Sequence, residues 1–403
     1  MAGKYSVAAQ LKVIEKYQKL HPDVEVELIQ TSWTKFDADL IARIASGMTP
    51  DLVYEVEGKA WSFYAMQGKD SILPIDDLME EYKAEFTPKM LKCSFIDGHY
   101  REIPYGVGPV VLFYRKDLFD AAGLKPPRTW DELYKAARAL TQDTDGDGKI
   151  DIYGYTPTSG DWMAQYELHS YLMSNGASVT DKDGKVVLYS PQALEALKFY
   201  VSLFDKDIAP PGAKNYKYGD AQTAFITGKP AMVFTFGYIL RRIAEQNPEI
   251  VPYVRAVPVP RRSLDVPRGS SGGRNSLFIP AATKHPKEVK NFLRFLLAKE
   301  NCLEIIQAYP GGNLPAMKSI RESQEFKDNP ILKKFPQATE TLIDECRYAA
   351  RPGAEFVQSP YGGELEGKLS LRDCIQKVTL GGWSPEKALK WTDQRIREMF
   401  ESK

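Results

Sequence analysis

The chain has 403 residues, of which 43% are hydrophobic and 26% charged, values typical of a globular protein with two domains or two lobes. Lysine plus arginine and aspartate plus glutamate both number 53, so the net charge is zero. This balance argues against binding to nucleic acid or to an anionic membrane surface. No run of about 18 apolar residues is present, so the sequence predicts no membrane-spanning helix.

The first 54 residues predict the order helix, strand, helix, strand. Apolar residues recur at helical spacing over 6–20, and Pro22 ends this helix. Residues 24–29 alternate apolar and acidic side chains, which is typical of a strand with one solvated face. A helix over 33–46 and a short buried strand over 52–54 follow. Strands that alternate with helices predict an α/β fold with a parallel sheet between two helical layers.

The same alternation continues to the end of the chain. Further extended segments are predicted over 104–114, 231–236, 254–259 and 277–279. Further helices are predicted over 130–140, 166–173, 190–204, 288–307 and 385–400. Thr129 and Ser190 are the expected N-caps of two of them. No repeat and no long linker divides the chain, which favours two lobes between which the chain crosses several times.

Metal chemistry has one candidate, an acidic loop. The four cysteines and four histidines follow no zinc-ligand spacing. In contrast, carboxylates at loop positions 1, 3, 5 and 9, with Gly148 at position 6, are typical of a calcium loop. The possible calcium ligands are Asp143, Asp145, Asp147, Lys149 (through its carbonyl) and Asp151. Gly154 stands where a bidentate glutamate is expected, and an ordinary surface turn is the alternative.

Cys346 and Cys374 raise a separate question about the redox state of the chain. A disulfide between them is one alternative for an exported protein. Free buried thiols are the other, since unpaired cysteines are common in protein cores.

Catalytic motifs are absent from the sequence. It has no nucleophile elbow, no phosphate-binding loop and no metalloprotease motif. Glu55 and Glu57 lie on one face of a strand end, and two carboxylates in that arrangement are typical of a glycosidase active site. The alternative is that both accept hydrogen bonds from ligand hydroxyls without chemistry. We therefore expect a binding protein and keep a carbohydrate-active enzyme as the alternative.

Five segments, taken in order, resemble one family. They are residues 9–53 (with Trp-x-x-Phe-x-x-x-Leu and Ala-Ser-Gly-x-x-Pro-Asp), Pro104 to Leu133, Ala224 to Tyr238, Gly272 to Leu296 and Gly382 to Leu389. Together they span nearly the whole chain. The sequence resembles the extracellular solute-binding proteins, family 1, of bacterial ABC importers, whose best-known members bind maltose and other oligosaccharides.

The resemblance implies an α/β, periplasmic-binding-protein-like fold, with two α/β lobes joined by a three-segment hinge. The expected N-lobe is 1–107 plus 256–311, and the expected C-lobe is 108–255 plus 312–403. The chain is expected to cross between them near 105–112, 251–260 and 308–316. The ligand is expected to lie between the lobes, which close on it.

The resemblance also implies a function. A monomer at the periplasmic or extracellular face of the membrane binds a sugar and delivers it to the transmembrane subunits of an ABC permease, without cofactor or catalysis. A sensory sugar receptor of the same fold is an alternative. The family opens with a signal peptide, often with a lipid-bearing cysteine, and then an apolar strand. These do not precede the first helix here, so we expect that adding such a strand would raise the melting temperature.

The ligand site is implied by the resemblance together with the chemistry of sugars. A pyranose has apolar faces and a hydroxyl rim, so it is bound by aromatic rings and planar polar groups. The candidates are Trp33, Glu55, Glu57, Trp61, Tyr105, Trp162, Tyr238, Gly273, Arg274, Asn275 and Tyr361. Gly273 is expected to let the backbone approach the ligand. Core packing is the alternative for the tryptophans, and a surface cation is the alternative for Arg274.

Overall fold

The computed structural model describes residues 4–31, 35–56, 60, 63–64, 67–68, 70–356 and 362–401. Its strands are β1 (Val53–Val56), β2 (Phe95–Ile96), β3 (His99–Tyr100), β4 (Ile103–Arg115), β5 (Met232–Phe236), β6 (Val254–Val257), β7 (Ser270–Phe278), β8 (Leu314–Pro315) and β9 (Ala349–Ala350).

The helices before residue 250 are α1 (Lys4–Leu20), α2 (Phe36–Ala45), α3 (Asp76–Tyr82), α4 (Pro88–Ser94), α5 (Lys116–Ala121), α6 (Trp130–Ala139), α7 (Trp162–Met173), α8 (Pro191–Ser202), α9 (Tyr218–Ile226) and α10 (Ile239–Gln246). Later helices are α11 (Pro286–Leu297), α12 (Lys299–Ile306), α13 (Lys318–Arg321), α14 (Gln324–Lys327), α15 (Pro336–Glu345), α16 (Gly362–Gly367), α17 (Ser370–Thr379) and α18 (Pro385–Glu401). Short 3-10 helices lie at Lys83–Glu85, Ala213–Asn215, Pro248–Tyr253 and Leu332–Lys334.

The 13-residue strand β4 organises the sheet. Its first half pairs with β7, as far as Pro109 opposite Gly272. Its second half pairs with β5 and β6, starting with Val110 opposite Phe236. β4 therefore changes partners between Pro109 and Val110, and a single strand connects two groups of strands. The three predicted crossings and the lobe boundaries stay predictions.

The strand order is β1-β7-β4-β5, and each of these ladders is antiparallel. The predicted parallel sheet is therefore wrong for the ladders of the described strands, except for β7 with β9. The physical reason is that β5, β6, β7 and β8 all pair directly with the long strand β4 and run opposite to it. Helical periodicity between strands does not determine which strands become neighbours.

Two large hydrophobic clusters lie on opposite faces of the second half of β4. Leu112 belongs to the cluster that α6, α7, α8, α17 and α18 cover. Val111 and Phe113 belong to the other, which draws side chains from both predicted lobes. The split follows from the alternation of side chains along a strand. In the first cluster Trp130 and Phe199 stack in parallel, with ring centroids 4.5 Å apart.

The predicted strand over 24–29 is wrong. Its side chains do alternate between half-buried and exposed, but the described residues provide no ladder partner for its backbone. A strand needs a neighbour for its N–H and C=O groups. Here the N–H of Val26 donates instead to Oε1 of Gln18, at 2.7 Å. The alternation of apolar and acidic residues correctly predicted which side chains are half-buried. It did not determine whether the backbone pairs with another strand.

Most helices match the sequence prediction, and their ends have local causes. The predicted caps are confirmed, since Thr129 accepts from the N–H of Glu132 and Ser190 from that of Ala193. The helix predicted over 288–307 is broken at Ala298, which has an extended ψ of 135°. Nδ2 of Asn301 donates to the carbonyl of Phe295 at 2.8 Å, which satisfies an acceptor at the end of α11.

All four cysteines are buried and free. The Cys346–Cys374 disulfide is therefore wrong, and the alternative of free thiols is confirmed. The two residues belong to different hydrophobic clusters, Cys374 to the first and Cys346 to the second. Among the described helices, none combines the length and the apolar character needed to cross a membrane.

Candidate functional site

A buried charged network occupies the predicted N-lobe. It consists of Glu55 on β1, Glu102 immediately before β4, and Arg274 on β7, each at most 4% exposed. The guanidinium of Arg274 forms an ion pair with Glu102 and donates to the carbonyl of Met90 at 2.7 Å. The ladder places Glu55 opposite Ser276, whose hydroxyl donates to Glu102 at 3.4 Å. These groups are held mainly by one another.

Burial raises the pKa of Glu55 well above its ordinary value, and the nearby carboxyl of Glu102 raises it further. The carboxyl that the sequence analysis paired with Glu55 is that of Glu57, which lies outside the described residues, so the glycosidase pair stays a prediction.

Arg274 is not the surface cation that one alternative predicted, because it is 4% exposed. The contacts described above are with protein atoms, and a contact with ligand stays a prediction. Asn275 is also buried, and its Nδ2 donates to the hydroxyl of Tyr54 at 2.8 Å. Tyr54 in turn meets Tyr105 edge to face at 5.9 Å. Tyr105 is 4% exposed and belongs to the same hydrophobic cluster as Cys302, so its surroundings are those of a core residue.

An aromatic cluster lies in the predicted C-lobe and consists of Trp162, Tyr166, Tyr218, Phe236 and Tyr238. The Trp162 ring lies 5.0 Å from that of Tyr218 and 5.9 Å from that of Phe236. Phe236 lies 6.2 Å from Tyr238. Trp162 is 37% exposed although it packs on three rings, so part of its surface is open for stacking. The predicted residues Trp162 and Tyr238 are thus brought into one group.

Asp161 holds this aromatic cluster together. One carboxylate oxygen caps α7 by accepting from the N–H of Met163 at 3.0 Å. The other accepts from the N–H of Tyr218, the first residue of α9, at 2.9 Å. One carboxylate therefore anchors the N-terminal ends of α7 and α9. This arrangement places the Trp162 ring against the Tyr218 ring. This cap explains why α7 begins four residues before the predicted helix.

Tyr238 lies against the backbone of Gly312. A Cβ atom at residue 312 would lie 1.5 Å from the Tyr238 ring, so only glycine fits there. Burial raises the pKa of the Tyr238 hydroxyl well above its ordinary value, with smaller contributions from Tyr218 and Tyr54. Tyr54 belongs to the predicted N-lobe and Tyr238 to the C-lobe. Residues of both predicted lobes therefore meet around Tyr238.

Two residues of this region escaped the sequence analysis, Tyr54 and Arg351. Tyr54 adjoins the candidate Glu55, but it projects from the opposite face of β1 and was assigned to the core. Arg351 lies in an irregular segment that carries no motif. It lies against Gly273, where the sequence led us to expect the ligand itself. Trp33, Glu57, Trp61 and Tyr361 lie outside the described residues, and their role stays a prediction.

The acidic loop brings carboxylate oxygens of Asp143, Asp145 and Asp151 within 4.8 Å of one another, all exposed. Asp143 accepts from the N–H groups of Gly146 and Gly148, at 2.7 and 2.8 Å. The backbone bond from Gly148, followed by that from Gly146, lowers the pKa of Asp143. The loop is thus folded by its own hydrogen bonds, and calcium binding stays a prediction.

These features, two groups of strands linked by β4 with candidate binding residues between them, define a two-lobed ligand-binding protein. Residues 3–301 match the family described as bacterial extracellular solute-binding protein. The chain belongs to that family. A putative binding protein of Brucella abortus is 28% identical to it, covering 91% of this chain and 88% of that protein. A putative periplasmic-binding protein of an ABC transporter in Escherichia coli is 22% identical, covering 97% and 89%.

Among solved structures, the maltose-bound MalE3 protein of T. maritima superimposes with a TM-score of 0.78. It is 24% identical, and the match covers 97% of this chain and 96% of that one. This similarity confirms the predicted periplasmic-binding-protein-like fold with two α/β lobes. The family is one of binding proteins, in agreement with the expectation that the chain binds a solute.

Proposed function

We propose that this chain is the ligand-binding subunit of an ABC importer and that it binds a sugar or short oligosaccharide between its lobes. The observation that carries the proposal is the aromatic cluster, in which the half-exposed Trp162 ring packs on Tyr218 beside Tyr238. The protein acts as a monomer at the periplasmic or extracellular face of the membrane and passes the sugar to permease subunits.

The geometry suits a sugar for a physical reason. Aromatic rings stack on the apolar faces of a pyranose, while polar groups hydrogen-bond its hydroxyl rim. The C-lobe supplies the rings, and Tyr54, with its hydroxyl held by Asn275, lies on the N-lobe side. The maltose in the T. maritima structure supports a sugar ligand. The name of the E. coli relative supports a role in an ABC transporter.

Titration calorimetry with maltose, maltotriose, cellobiose, xylobiose and arabinotriose tests whether the ligand is a sugar. We expect at least one of them to bind and to be recovered chemically unchanged after incubation, as mass spectrometry would show. Cleavage of a bound sugar would support the carbohydrate-active enzyme instead. The absence of binding to every sugar would contradict the proposal.

A second experiment separates an importer from a sensory receptor. Deletion of the gene is expected to abolish uptake of the radiolabelled sugar that binds in calorimetry. Complementation with the wild-type gene should restore uptake. Normal uptake combined with a lost transcriptional or chemotactic response to the same sugar would favour the sensory alternative.

A further inference from the structure

The segment from Ala349 to Glu355 is fixed at both ends beside the start of β7. At one end, β9 pairs in parallel with Ser270 and Ser271. At the other end, the Glu355 carboxylate accepts from the N–H of Val179 at 3.0 Å and from the hydroxyl of Thr180 at 3.1 Å. It also hydrogen-bonds Nε2 of the buried His169 at 2.8 Å. A side chain between these anchors is held in a defined place.

Arg351 lies between the anchors and is 8% exposed. Its guanidinium lies against the backbone of Gly273. A Cβ at residue 273 would be 2.3 Å from Nη2 and 2.8 Å from Nε of Arg351. The guanidinium carbon also lies 5.9 Å from the centre of the Tyr166 ring, at cation–π distance. The guanidinium therefore lies between the Gly273 backbone and the Tyr166 ring.

The charge of Arg351 reaches candidate residues of both lobes. Burial raises the pKa of Glu55, and the guanidinium of Arg351 is close enough to oppose that rise. Burial likewise raises the pKa of Tyr238, and Arg351 opposes that rise as well. Glu55 lies on β1 of the N-lobe, whereas Tyr238 follows β5 of the C-lobe. Together with its contacts to Gly273 of the predicted N-lobe and Tyr166 of the predicted C-lobe, this places Arg351 between the two walls of the proposed site.

We propose that Arg351 is a ligand-binding residue that fixes one polar edge of the sugar, and that residue 273 is glycine in order to seat it. This inference rests on the proposed function. A guanidinium presents parallel N–H donors that match a carboxylate or two adjacent hydroxyls. The ligand is therefore a sugar whose edge carries either a uronic carboxylate or a vicinal hydroxyl pair.

The test measures dissociation constants by calorimetry for the sugars of the panel and for a matched pair, galactobiose and digalacturonate. Arg351→Ala is expected to weaken binding about 10- to 100-fold, the range for a lost hydrogen bond to a charged group. Arg351→Lys should fall between this variant and wild type. The control Arg347→Ala removes an arginine four residues earlier, whose side chain is 54% exposed, and should leave binding within about twofold.

Gly273→Ala displaces the guanidinium without removing it and should weaken binding about as much as Arg351→Ala. Its control is Gly219→Ala, because a Cβ there meets nothing within 4 Å. If Gly273 acts only through Arg351, the double variant binds no more weakly than Arg351→Ala. A loss confined to digalacturonate identifies a carboxylate ligand, and an equal loss for both sugars identifies hydroxyls.

The inference is overturned if the wild-type protein binds a sugar and Arg351→Ala binds it within about twofold of wild type, while the proposed function stands. Fully additive losses in the double variant would also overturn the role of Gly273. If Arg351→Ala does not fold, Arg351→Lys and Gly273→Ala decide the question. If the wild-type protein binds no sugar, the proposed function fails and the inference fails with it.

Discussion

Two buried carboxyl networks of this molecule are stabilised in different ways. In the predicted N-lobe, Arg274 forms an ion pair with Glu102, and Glu55 lies beside them. In the predicted C-lobe, the Glu167 carboxyl accepts from hydroxyls, of which the nearest are Oγ1 of Thr158 at 2.6 Å and Oη of Tyr200 at 3.0 Å. The first network therefore pairs a buried carboxyl with a counter-charge, whereas the second buries a carboxyl whose neutral form is favoured.

The two regions also differ in how much of their surface is open to a ligand. The charged side chains of the N-lobe network already bind one another, whereas the aromatic cluster of the C-lobe leaves part of Trp162 exposed. A polar residue at a strand end is therefore not by itself evidence of a ligand contact. We expect substitutions in the N-lobe network to lower stability, and substitutions in the aromatic cluster to lower affinity.

The largest effect is expected for Arg274→Ala. Removal of the cation leaves buried carboxyls without their partner, which typically costs about 3–5 kcal/mol. Urea denaturation followed by circular dichroism measures the free energy of unfolding. Arg347→Ala, at an exposed site, should change it by less than about 0.5 kcal/mol. Equal stability of the two variants would contradict the structural role assigned to the network.

Glu167 is expected to make the stability depend on pH. Burial raises its pKa from 4.5 to about 8, so the folded state binds the proton more tightly than the unfolded state does. Its contribution is complete below pH 4.5 and is lost as the pH rises through about 8. Glu167→Gln should remove this loss, a difference on the order of a few kcal/mol.

Thermal unfolding of wild type and Glu167→Gln between pH 5 and pH 8 measures this difference, which should grow in favour of the variant as the pH rises. Glu340→Gln serves as the control, because its side chain is 59% exposed. Parallel stability curves for wild type and Glu167→Gln would show that Glu167 does not hold its proton in the fold.

Trp162→Ala and Tyr238→Ala are expected to weaken sugar binding with a smaller effect on folding. Each lost stacking contact should cost about 0.5–1.5 kcal/mol beyond the buried area. Trp383→Ala is the matched control, because the Trp383 ring packs on residues of α17 and α18 instead. It contacts the ammonium of Lys377 at 4.2 Å and the ring of Trp391. If both cluster variants bind the sugar normally, the aromatic cluster is not the ligand site.

The smallest effect is expected at the acidic loop, which lies outside both lobe networks. Calcium at a concentration near its dissociation constant adds about 0.4 kcal/mol, or about 1 °C in melting temperature. Asp145→Asn should abolish that shift, and magnesium should not reproduce it. An identical melting temperature with calcium and with a chelator would leave the loop as an ordinary turn.

Features set by neighbours in sequence could be predicted, and those set by distant partners could not. Thr129 and Ser190 cap the next turn of their own chain, so their role could be inferred from a few residues. The antiparallel pairing of β4 with β7 joins residues more than 160 positions apart. No local pattern specifies such a neighbour, and the unpaired segment 24–29 shows the same limitation.

The candidate site divides in the same way. Trp162 was a candidate because the family resemblance and the chemistry of sugars favour an aromatic ring, and the structure places it in the aromatic cluster. Arg351 was missed because its position depends on two anchors, β9 on β7 and Glu355 on His169. Gly273 was expected to let the backbone approach a ligand, and that role stays a prediction. The guanidinium that lies against it belongs to Arg351, 78 residues further along the chain.

The four buried free thiols can report local unfolding of the regions that contain them. Burial raises the pKa of Cys302, Cys346 and Cys374 to about 12, so each is protected from alkylation while its surroundings stay packed. Cys374 lies in the cluster of the C-lobe, and Cys302 lies in the cluster on the other face of β4. Mass-resolved labelling rates would therefore time the exposure of each region separately, in the unaltered protein.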